Sequence, residues 1–329
     1  MIRYGIVGFG LHAVKRMVPG FRGGQNSKLV ALSRRDRSQA RESALQYDVP
    51  LAFDSVEELC RHPEVDAVFV ATPNVCHLND VLTAARHGKA ILCEKPMAMN
   101  ADECRQMVEA TRSAGVKFGV AQVFRFEDSV RHIQQCIASG DLGETVLARA
   151  EFAYPGRNHA RKWINDRASG GGVVADVGVH CIDALRYMLN DEVTRVQALT
   201  RSDAESGEVD AAGALVLQFS RGTLATIMVT MRAEYQTPVE VVGEAGVLTA
   251  TNAFTVDAPL TIDIRRGGKI AESWQFRNAN AYARMLDSFS DWVEGREEFV
   301  APGEEGWRNQ LIIDAAYESA RSGCAVTLG

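Results

Sequence analysis

The segment Ala90-Ile-Leu-Cys-Glu-Lys-Pro96 runs from four apolar residues directly into a charged pair and a proline. An apolar run of this length is typical of a strand buried on both faces of a parallel sheet. Because proline has no backbone donor, the strand must end before Pro96. Glu94 and Lys95 are therefore predicted at the carboxyl end of a central strand, the edge at which open α/β sheets bind ligands. The alternative is that Glu94 and Lys95 form only a surface ion pair at the end of the strand.

A glycine-rich turn follows the first predicted strand, residues 2–7. The turn Gly8-Phe9-Gly10-Leu11-His12-Ala13 has the spacing Gly-x-Gly-x-x-Ala and opens a helix. The first glycine permits a tight turn, the second lets the backbone approach a pyrophosphate, and the small third residue allows close packing. Since a helix amino terminus offers free N–H groups to phosphate, the turn is predicted to bind a dinucleotide.

The second predicted strand, residues 28–33, ends in Ser33-Arg34-Arg35. Sites for NAD carry an acidic residue at this position, which bonds the ribose 2′-hydroxyl. A serine hydroxyl and guanidinium groups suit the 2′-phosphate of NADP instead, because arginine presents a fixed fork of donors. NADP(H) is the predicted cofactor, with NAD(H) as the alternative, and Arg37 is a further candidate contact. The other interpretation is a solvated basic loop.

Strand and helix patterns alternate up to about residue 124. Buried-strand runs lie at 65–72, 90–96 and 117–122, and Ser55-x-x-Glu58 is a capping box that begins a helix. Such alternation predicts a doubly wound parallel sheet. We assign residues 1–124 to an NAD(P)-binding Rossmann domain.

The pattern changes after residue 124, where strand-like runs separated by short turns predict a mostly antiparallel sheet. We assign residues 125–329 to a second α/β domain, which binds substrate and forms the oligomer. A polar loop at 155–172 carries Trp163 and is predicted to be functional because of its length. The runs 214–219 and 224–231 are too apolar for full exposure, so a homodimer or homotetramer is expected.

A helix predicted at 173–189 carries Asp176, His180 and Asp183. Asp176 and His180 are four residues apart and therefore share one helix face. A buried carboxylate beside a histidine needs a reason, because unpaired buried charge is costly. We interpret Asp183 as part of a structural polar network, and Asp176 with His180 as catalytic, since histidine is the usual proton shuttle near neutral pH.

Composition excludes several classes of protein. The 329 residues suit about two domains, and the net charge of -6 argues against nucleic-acid or anionic-membrane binding. No apolar stretch reaches membrane-spanning length, and residue 2 already opens a strand pattern, so no signal peptide is expected. The seven scattered cysteines predict neither a disulfide framework nor a zinc site, and favour a cytoplasmic location.

These motifs resemble those of the Gfo/Idh/MocA oxidoreductases over nearly the whole chain. The similarity rests on the glycine-rich turn, Ala71-Thr-Pro-Asn74 with His77, Glu94-Lys-Pro96, and Gly170-Gly-Gly followed by Asp176-x-x-x-His180. It implies a Rossmann domain, then a large open, mostly antiparallel sheet, with Lys95, Asp176 and His180 as the catalytic set. Within the family, the chain is most similar to the NADP-dependent 1,5-anhydro-D-fructose reductase branch. Ala13 replaces the commoner third glycine.

The predicted reaction is hydride transfer to or from a sugar, anhydro-sugar, polyol or related cyclic carbonyl or alcohol. The residues predicted to contact the cofactor are Gly8, Phe9, Gly10, Leu11, His12, Ala13, Ser33, Arg34, Arg37, Ala71, Thr72, Asn74, His77, Glu94, Lys95 and Gln122. The residues predicted to bind substrate are Lys95, Tyr154, Asn158, His159, Trp163, Asp176 and His180. For His77 the alternative is a helix-surface position without a ligand, and no metal site is predicted.

Two other classes of function fit parts of the sequence. A cofactor-binding regulator of this fold should lack Lys95 or His180, and both are present. A glycoside hydrolase that uses tightly held NAD for transient oxidation would not need Arg34 at the end of the second strand. Because fold alone does not determine function, a substrate panel is needed to separate them.

Overall fold

A computed structural model describes residues 1–156, 162–256 and 258–329. The chain forms two compact units, Met1–Val123 with Asn280–Gln310, and Phe124–Ala279 with Leu311–Gly329. The change of unit at residues 123 and 124 adjoins the predicted boundary. The structure differs from the sequence-based assignment in grouping residues 280–310 with the first unit.

The first unit contains a six-stranded parallel sheet with the strand order β3-β2-β1-β4-β5-β6, as predicted for a doubly wound fold. Its elements are β1 (Ile2–Val7), α1 (Val18–Gly23), β2 (Ser27–Ser33), α2 (Arg37–Tyr47), β3 (Leu51–Phe53), α3 (Val56–Arg61), β4 (Ala67–Val70), α4 (Asn74–Arg86), β5 (Ala90–Cys93), α5 (Ala101–Ser113) and β6 (Phe118–Val120). A π-helical turn, Ala13–Met17, precedes α1. Strand order reverses between β1 and β4, which is where such sheets bind ligands.

Helix starts in the first unit follow local capping chemistry. The Ser55 side chain accepts the N–H of Glu58 at 3.1 Å and begins α3, as the capping box predicts. Asn100 accepts the N–H of Glu103 at 2.9 Å and begins α5. These two caps determine where α3 and α5 begin.

The second unit contains a ten-stranded sheet with the order β15-β14-β13-β12-β7-β10-β9-β8-β16, and β11 pairs with β7. All neighbouring pairs are antiparallel except β10 with β7, so the prediction of a mostly antiparallel sheet is confirmed. Its elements are α6 (Asp128–Ala138), β7 (Thr145–Pro155), α7 (Val179–Leu189), β8 (Val193–Arg201), β9 (Ala212–Phe219), β10 (Leu224–Thr230), β11 (Arg232–Gln236), β12 (Val239–Gly243), β13 (Gly246–Ala250), β14 (Pro259–Arg266) and β15 (Lys269–Arg277). The run of strand-like sequence at 238–251 forms a hairpin of two strands, β12 and β13, because the chain turns at residues 244–245.

Two helices and a short strand close the chain: α8 (Ala281–Val293), α9 (Gly303–Ser322) and β16 (Val326–Thr327). Helix α8 groups with the first unit because it packs against β1 and α1. The hydroxyl of fully buried Tyr4 lies 2.8 Å from Ser290 Oγ, and Asp287 accepts the backbone N–H groups of Gln25 and Asn26. An amphipathic helix shows from sequence that one face is buried, but not which element covers it.

The seven cysteines are free thiols. No helix within the described parts of the chain combines the length and apolar character needed to cross a membrane. The described residues also contain no group of three or more His, Cys, Asp or Glu that could hold a metal ion.

Candidate functional site

The glycine-rich turn lies against the end of β4. Gly8 has φ +82°, and a Cβ there would lie 2.7 Å from the Thr72 side chain and 2.8 Å from the Thr72 backbone nitrogen. Only glycine fits this position. A Cβ on Gly10 would meet only Gly8 O at 3.9 Å. Since the protein itself does not require a glycine there, close approach of a pyrophosphate is the chemistry that fits.

The other residues of the turn divide between core and surface. Phe9 is buried, with its ring centroid 5.4 Å from that of Tyr47, so its side chain belongs to the core. Ala13 is fully buried, and Leu11 is exposed. The backbone of the turn, rather than these three side chains, is therefore the part suited to a dinucleotide.

His12 joins the glycine-rich turn to the end of β5. Its Nε2 lies 2.8 Å from Glu94 Oε1, and Glu94 Oε2 accepts the N–H of Lys95 at 3.1 Å. Burial alone would raise the pKa of Glu94, but the charges of His12 and Lys95 and the hydrogen bonds to this carboxylate lower the pKa below its usual value. Glu94 and the half-buried Lys95 thus follow β5 at the predicted edge of the sheet.

Ser33 and Arg34 lie beside this turn. Ser33 is buried, and its carbonyl accepts the N–H of Phe9 at 2.9 Å. The Arg34 guanidinium donates to Ser43 Oγ at 2.9 Å and to Gln39 Oε1 at 2.8 Å, which fixes its plane at the end of β2.

Arg37, a predicted cofactor contact, lies beside two acidic residues. Its guanidinium lies 3.4 Å from Asp54 and 3.8 Å from Glu58, and the side chain is 58% exposed. These carboxylates already balance its charge. These surroundings therefore do not favour the predicted cofactor contact of Arg37. The sequence alone could not show which acidic residues would lie near this side chain.

Buried polar groups follow β4 and β6. The Thr72 hydroxyl donates to Asp80 at 2.6 Å, and burial raises the pKa of Asp80 despite this bond. Asn74 is buried at the start of α4, and Ala71 precedes Thr72 at half-buried depth. Gln122 is 2% exposed, and its Oε1 has no hydrogen-bond partner among the described residues. A buried acceptor at this edge fits a ligand that carries an amide or hydroxyl donor.

His77 is fully buried in the first turns of α4, so the predicted helix-surface alternative is wrong. Its Nε2 lies 2.8 Å from Thr72 O, and its Nδ1 lies 3.1 Å from Pro96 O and 3.2 Å from Met97 O. Both ring nitrogens therefore face the protein backbone. The ring nitrogens are therefore occupied by the backbone after β4 and β5, whereas a cofactor contact was predicted for this side chain.

In the second unit, Tyr154, Asp176 and His180 lie together. Asp176 is buried and accepts the Tyr154 hydroxyl at 2.9 Å. His180 is 9% exposed, with its ring edge-on to Phe124 at 4.7 Å and stacked at 6.0 Å on Phe152. A carboxylate and a phenol are thus hydrogen-bonded to each other, and an imidazole follows four residues after the carboxylate in an aromatic surrounding.

The start of the helix that carries Asp176 depends on Asp210 and Tyr317, which sequence analysis did not identify. Asp210 accepts the N–H of Val174 at 2.7 Å and the Tyr317 hydroxyl at 2.9 Å. Gly172 has φ +120°, and a Cβ there would lie 2.2 Å from Asp210 Oδ1. Burial raises the pKa of Asp210 in spite of these bonds. Asp210 therefore requires a glycine at position 172, which no local pattern could indicate.

The predicted structural role of Asp183 is confirmed. Arg125 donates to Asp183 Oδ2 from Nε at 2.9 Å and to Oδ1 from Nη2 at 2.7 Å. Both side chains are almost fully buried, at 4% and 3% exposure. The bidentate pair fixes α7 to the segment that precedes α6.

The polar loop of the second unit is described in part. Trp163 is half-buried in a 3₁₀ turn, Lys162–Asn165, and its carbonyl accepts the N–H of Asp166 at 3.0 Å. Asn158 and His159 lie outside the described residues, so their substrate contacts stay predictions.

Comparisons with known proteins cover the whole chain. The family model described as "Oxidoreductase family, NAD-binding Rossmann fold" matches residues 2–122, and that of the "GFO/IDH/MocA C-terminal domain" matches residues 130–249. The chain is 32% identical to 1,5-anhydro-D-fructose reductase of Ensifer adhaerens over 331 residues, which are 100% of this chain and 99% of that relative. It is 30% identical to D-xylose 1-dehydrogenase (NADP(+)) 2 of Haloferax volcanii, across 99% of both. Among solved structures, the aldose-aldose oxidoreductase from Caulobacter crescentus superposes with a TM-score of 0.91 at 27% identity, across 99% of each chain.

Proposed function

Because the chain belongs to the Gfo/Idh/MocA family of NAD(P)-binding oxidoreductases, we propose that it transfers hydride between NADP(H) and a sugar, anhydro-sugar or polyol. The observation that carries this proposal is the position of buried Asp176, which accepts the Tyr154 hydroxyl on the helical segment that leads to His180. A polyhydroxylated substrate needs both hydrogen-bond donors and hydrogen-bond acceptors, and these side chains supply both.

Three residues carry the proposed proton chemistry. When bound, the nicotinamide supplies or receives the hydride. His180 donates a proton to the oxygen of the substrate carbonyl in the reductive direction. Lys95 stabilises negative charge on that oxygen. Asp176, oriented by Tyr154, holds a substrate hydroxyl or the imidazole. Because Lys95, Asp176 and His180 interact, the pH dependence of turnover reports on all three residues together.

A substrate panel tests this function. The relatives named above are a 1,5-anhydro-D-fructose reductase, a D-xylose dehydrogenase and an aldose-aldose oxidoreductase. We expect NADPH-dependent turnover of at least one ketose or anhydro-sugar, or NADP⁺-dependent oxidation of an aldose or polyol, followed by absorbance. Absence of redox turnover together with hydrolysis of a glycoside would contradict the proposal and favour the hydrolase alternative.

The end of β2 supports NADP(H) over NAD(H). Replacing Arg34 by alanine is expected to weaken NADPH binding by about 1.5–3 kcal/mol, the usual contribution of a charge-assisted hydrogen bond. NADH, which has no 2′-phosphate, should bind almost as before. Fluorescence titration with both cofactors measures the two effects.

Arg37→Ala is the matched control for this prediction, because Arg37 is an arginine of the same segment that lies near Asp54 and Glu58. It should leave both affinities unchanged. Equal weakening of NADPH and NADH by Arg34→Ala would show that Arg34 does not recognise the phosphate.

The open face of the second unit's sheet supports a homodimer or homotetramer. Alternate residues of β9 and β10 are buried, and their neighbours are exposed. Leu199, Met228 and Ala214 line a shallow depression of about 430 Å³ on this face, and Leu199 is 70% exposed. Arg149 and Glu151 of β7 also give opposite charges, 3.7 Å apart, that a second copy related by two-fold symmetry could match.

Replacing Met228 by lysine is expected to dissociate this assembly, because the interface would have to bury an unpaired charge. Light scattering at micromolar concentration should show a dimer or tetramer for the wild type and a smaller mass for the variant. Ile270→Lys, which changes an equally exposed apolar residue on β15, is the control and should keep the wild-type mass. A monomeric wild type would contradict the proposed assembly.

A further inference from the structure

The His77 side chain contacts the backbone directly after two neighbouring strands, β4 and β5. Thr72, whose carbonyl faces Nε2 at 2.8 Å, follows β4. Pro96 and Met97, whose carbonyls face Nδ1 at 3.1 and 3.2 Å, follow β5. The second segment begins directly after Lys95. The imidazole therefore spans the gap between the end of β4 and the residues that position Lys95.

The ladder hydrogen bonds of the sheet stop just before this point. The N–H of Glu94 donates to Val70 O at 2.9 Å, and the N–H of Lys95 turns to its neighbour Glu94. Pro96 has no N–H with which to continue the ladder. A side-chain contact from α4 is thus a means of holding the backbone here in one position.

The chemistry of the contacts requires two donors. Carbonyl oxygens only accept hydrogen bonds, and a neutral imidazole carries a proton on one nitrogen only. Either neutral tautomer would leave one strand end without a donor. An imidazolium satisfies both ends, and Asp80, three residues along α4, provides a neighbouring carboxylate that accepts the Thr72 hydroxyl. Donor groups on both sides of a fully buried ring make a rigid connection between the two segments.

We propose that His77 is a positioning residue that holds Lys95 in place by hydrogen-bonding the segment after β5 to the segment after β4. This inference rests on the role of Lys95 in the proposed function. It assigns His77 no contact with cofactor or substrate. Loss of the connection lets the backbone around Lys95 move, and a misplacement of even about 1 Å can cost a large factor in rate.

Turnover in two backgrounds tests the proposal, with 1,5-anhydro-D-fructose and NADPH as the probe. His77→Phe keeps the ring volume and removes both donors, and His77→Gln keeps one donor and serves if the Phe variant fails to fold. In the wild-type background we expect kcat to fall by about 10- to 100-fold, while the Kd of NADPH stays the same. In a Lys95→Met background the same substitution should change kcat by less than about twofold, because residues that act through one another are not additive.

Val81→Ala is the matched control. Val81 is fully buried one turn further along α4, and its side chain makes no hydrogen bond. The substitution therefore costs stability without removing a hydrogen bond to the segment after β5. We expect a lower melting temperature and an unchanged kcat in both backgrounds.

The ring protons give a readout that does not depend on turnover. In ¹⁵N-histidine-labelled protein without cofactor, His77 should show two ring N–H signals that exchange slowly, and both should disappear in His77→Gln. A single ring N–H would leave one strand end unbonded and would overturn the proposal.

The kinetic outcomes separate this inference from the proposed function. Equal losses of kcat in both backgrounds would show that His77 acts independently of Lys95. A large loss of NADPH affinity with kcat retained would make His77 a cofactor residue. Either result overturns the positioning role. Normal turnover by Lys95→Met alone would instead contradict the catalytic role of Lys95.

Discussion

Replacing His180 by alanine is expected to lower turnover by about 10²–10⁴-fold, the usual contribution of a positioned acid or base. The imidazole is nearly buried against Phe124 and Phe152, so its orientation is fixed. Asp176 lies four residues earlier in the same helical segment and accepts the Tyr154 hydroxyl. The Kd of NADPH should stay unchanged, because this histidine is proposed to act on the substrate. Steady-state kinetics and a fluorescence titration measure the two quantities.

His132→Ala is the control for this prediction. His132 belongs to the same unit but packs against Trp274 and Phe276, at ring-centroid distances of 4.5 and 5.1 Å. It should leave turnover unchanged. Near-normal turnover by His180→Ala would move the proton-donating role to Lys95 or to a bound water. Loss of NADPH binding in the same variant would show that the helix is structural and that the catalytic assignment is wrong.

Replacing Asp183 by alanine is expected to reduce the free energy of unfolding by about 3–5 kcal/mol, because the substitution leaves the buried Arg125 guanidinium without its carboxylate. The pair is bidentate, at 2.7 and 2.9 Å, and Arg125 also lies 5.2 Å from the centre of the Tyr187 ring. The loss of stability comes from an uncompensated buried charge and not from a loss of apolar packing. Urea denaturation followed by circular dichroism measures the loss.

Two further variants test the cause of that loss. The double substitution Arg125→Met with Asp183→Leu should recover most of the stability, since apolar residues of similar size need no partner. Asp102→Ala breaks the exposed pair with Arg105, whose side chains are 65% and 44% exposed, and should cost less than about 1 kcal/mol. If Asp183→Ala is as mild as Asp102→Ala, the buried pair contributes little.

Much of the first unit could be predicted from sequence because its signals are local. The apolar run before Glu94 gave a buried strand, and the proline after Lys95 gave its end. Ser55 marked a helix start through its own side chain. Buried parallel strands and helix caps are each specified within a few residues of sequence, so their positions follow without knowledge of the rest of the fold.

The features that sequence analysis missed depend on partners distant in the chain. Gly172 is required because Asp210 and Tyr317 lie against it. His77 was placed on a helix, but its burial depends on the segment after β5. Strand β15 has no fully buried residue, and its polar–apolar alternation is confined to residues 273–277, so its sequence signal is weak. Periodicity indicates that a face is covered, but the covering residues come from the tertiary structure.

The grouping of α8 with β1 has a consequence for synthesis on the ribosome. The Tyr4 hydroxyl bonds to the carbonyl of Leu286 and to Ser290, which are translated 282 and 286 residues later. A nascent chain that has reached only residue 279 therefore has no cover for Tyr4 and for Phe21, whose ring lies 5.2 Å away. Closing this core brings together segments that are far apart in sequence, and such contacts form slowly. The first unit must thus wait for α8 to be translated, and its apolar surface is the part of the nascent chain that a chaperone would shield.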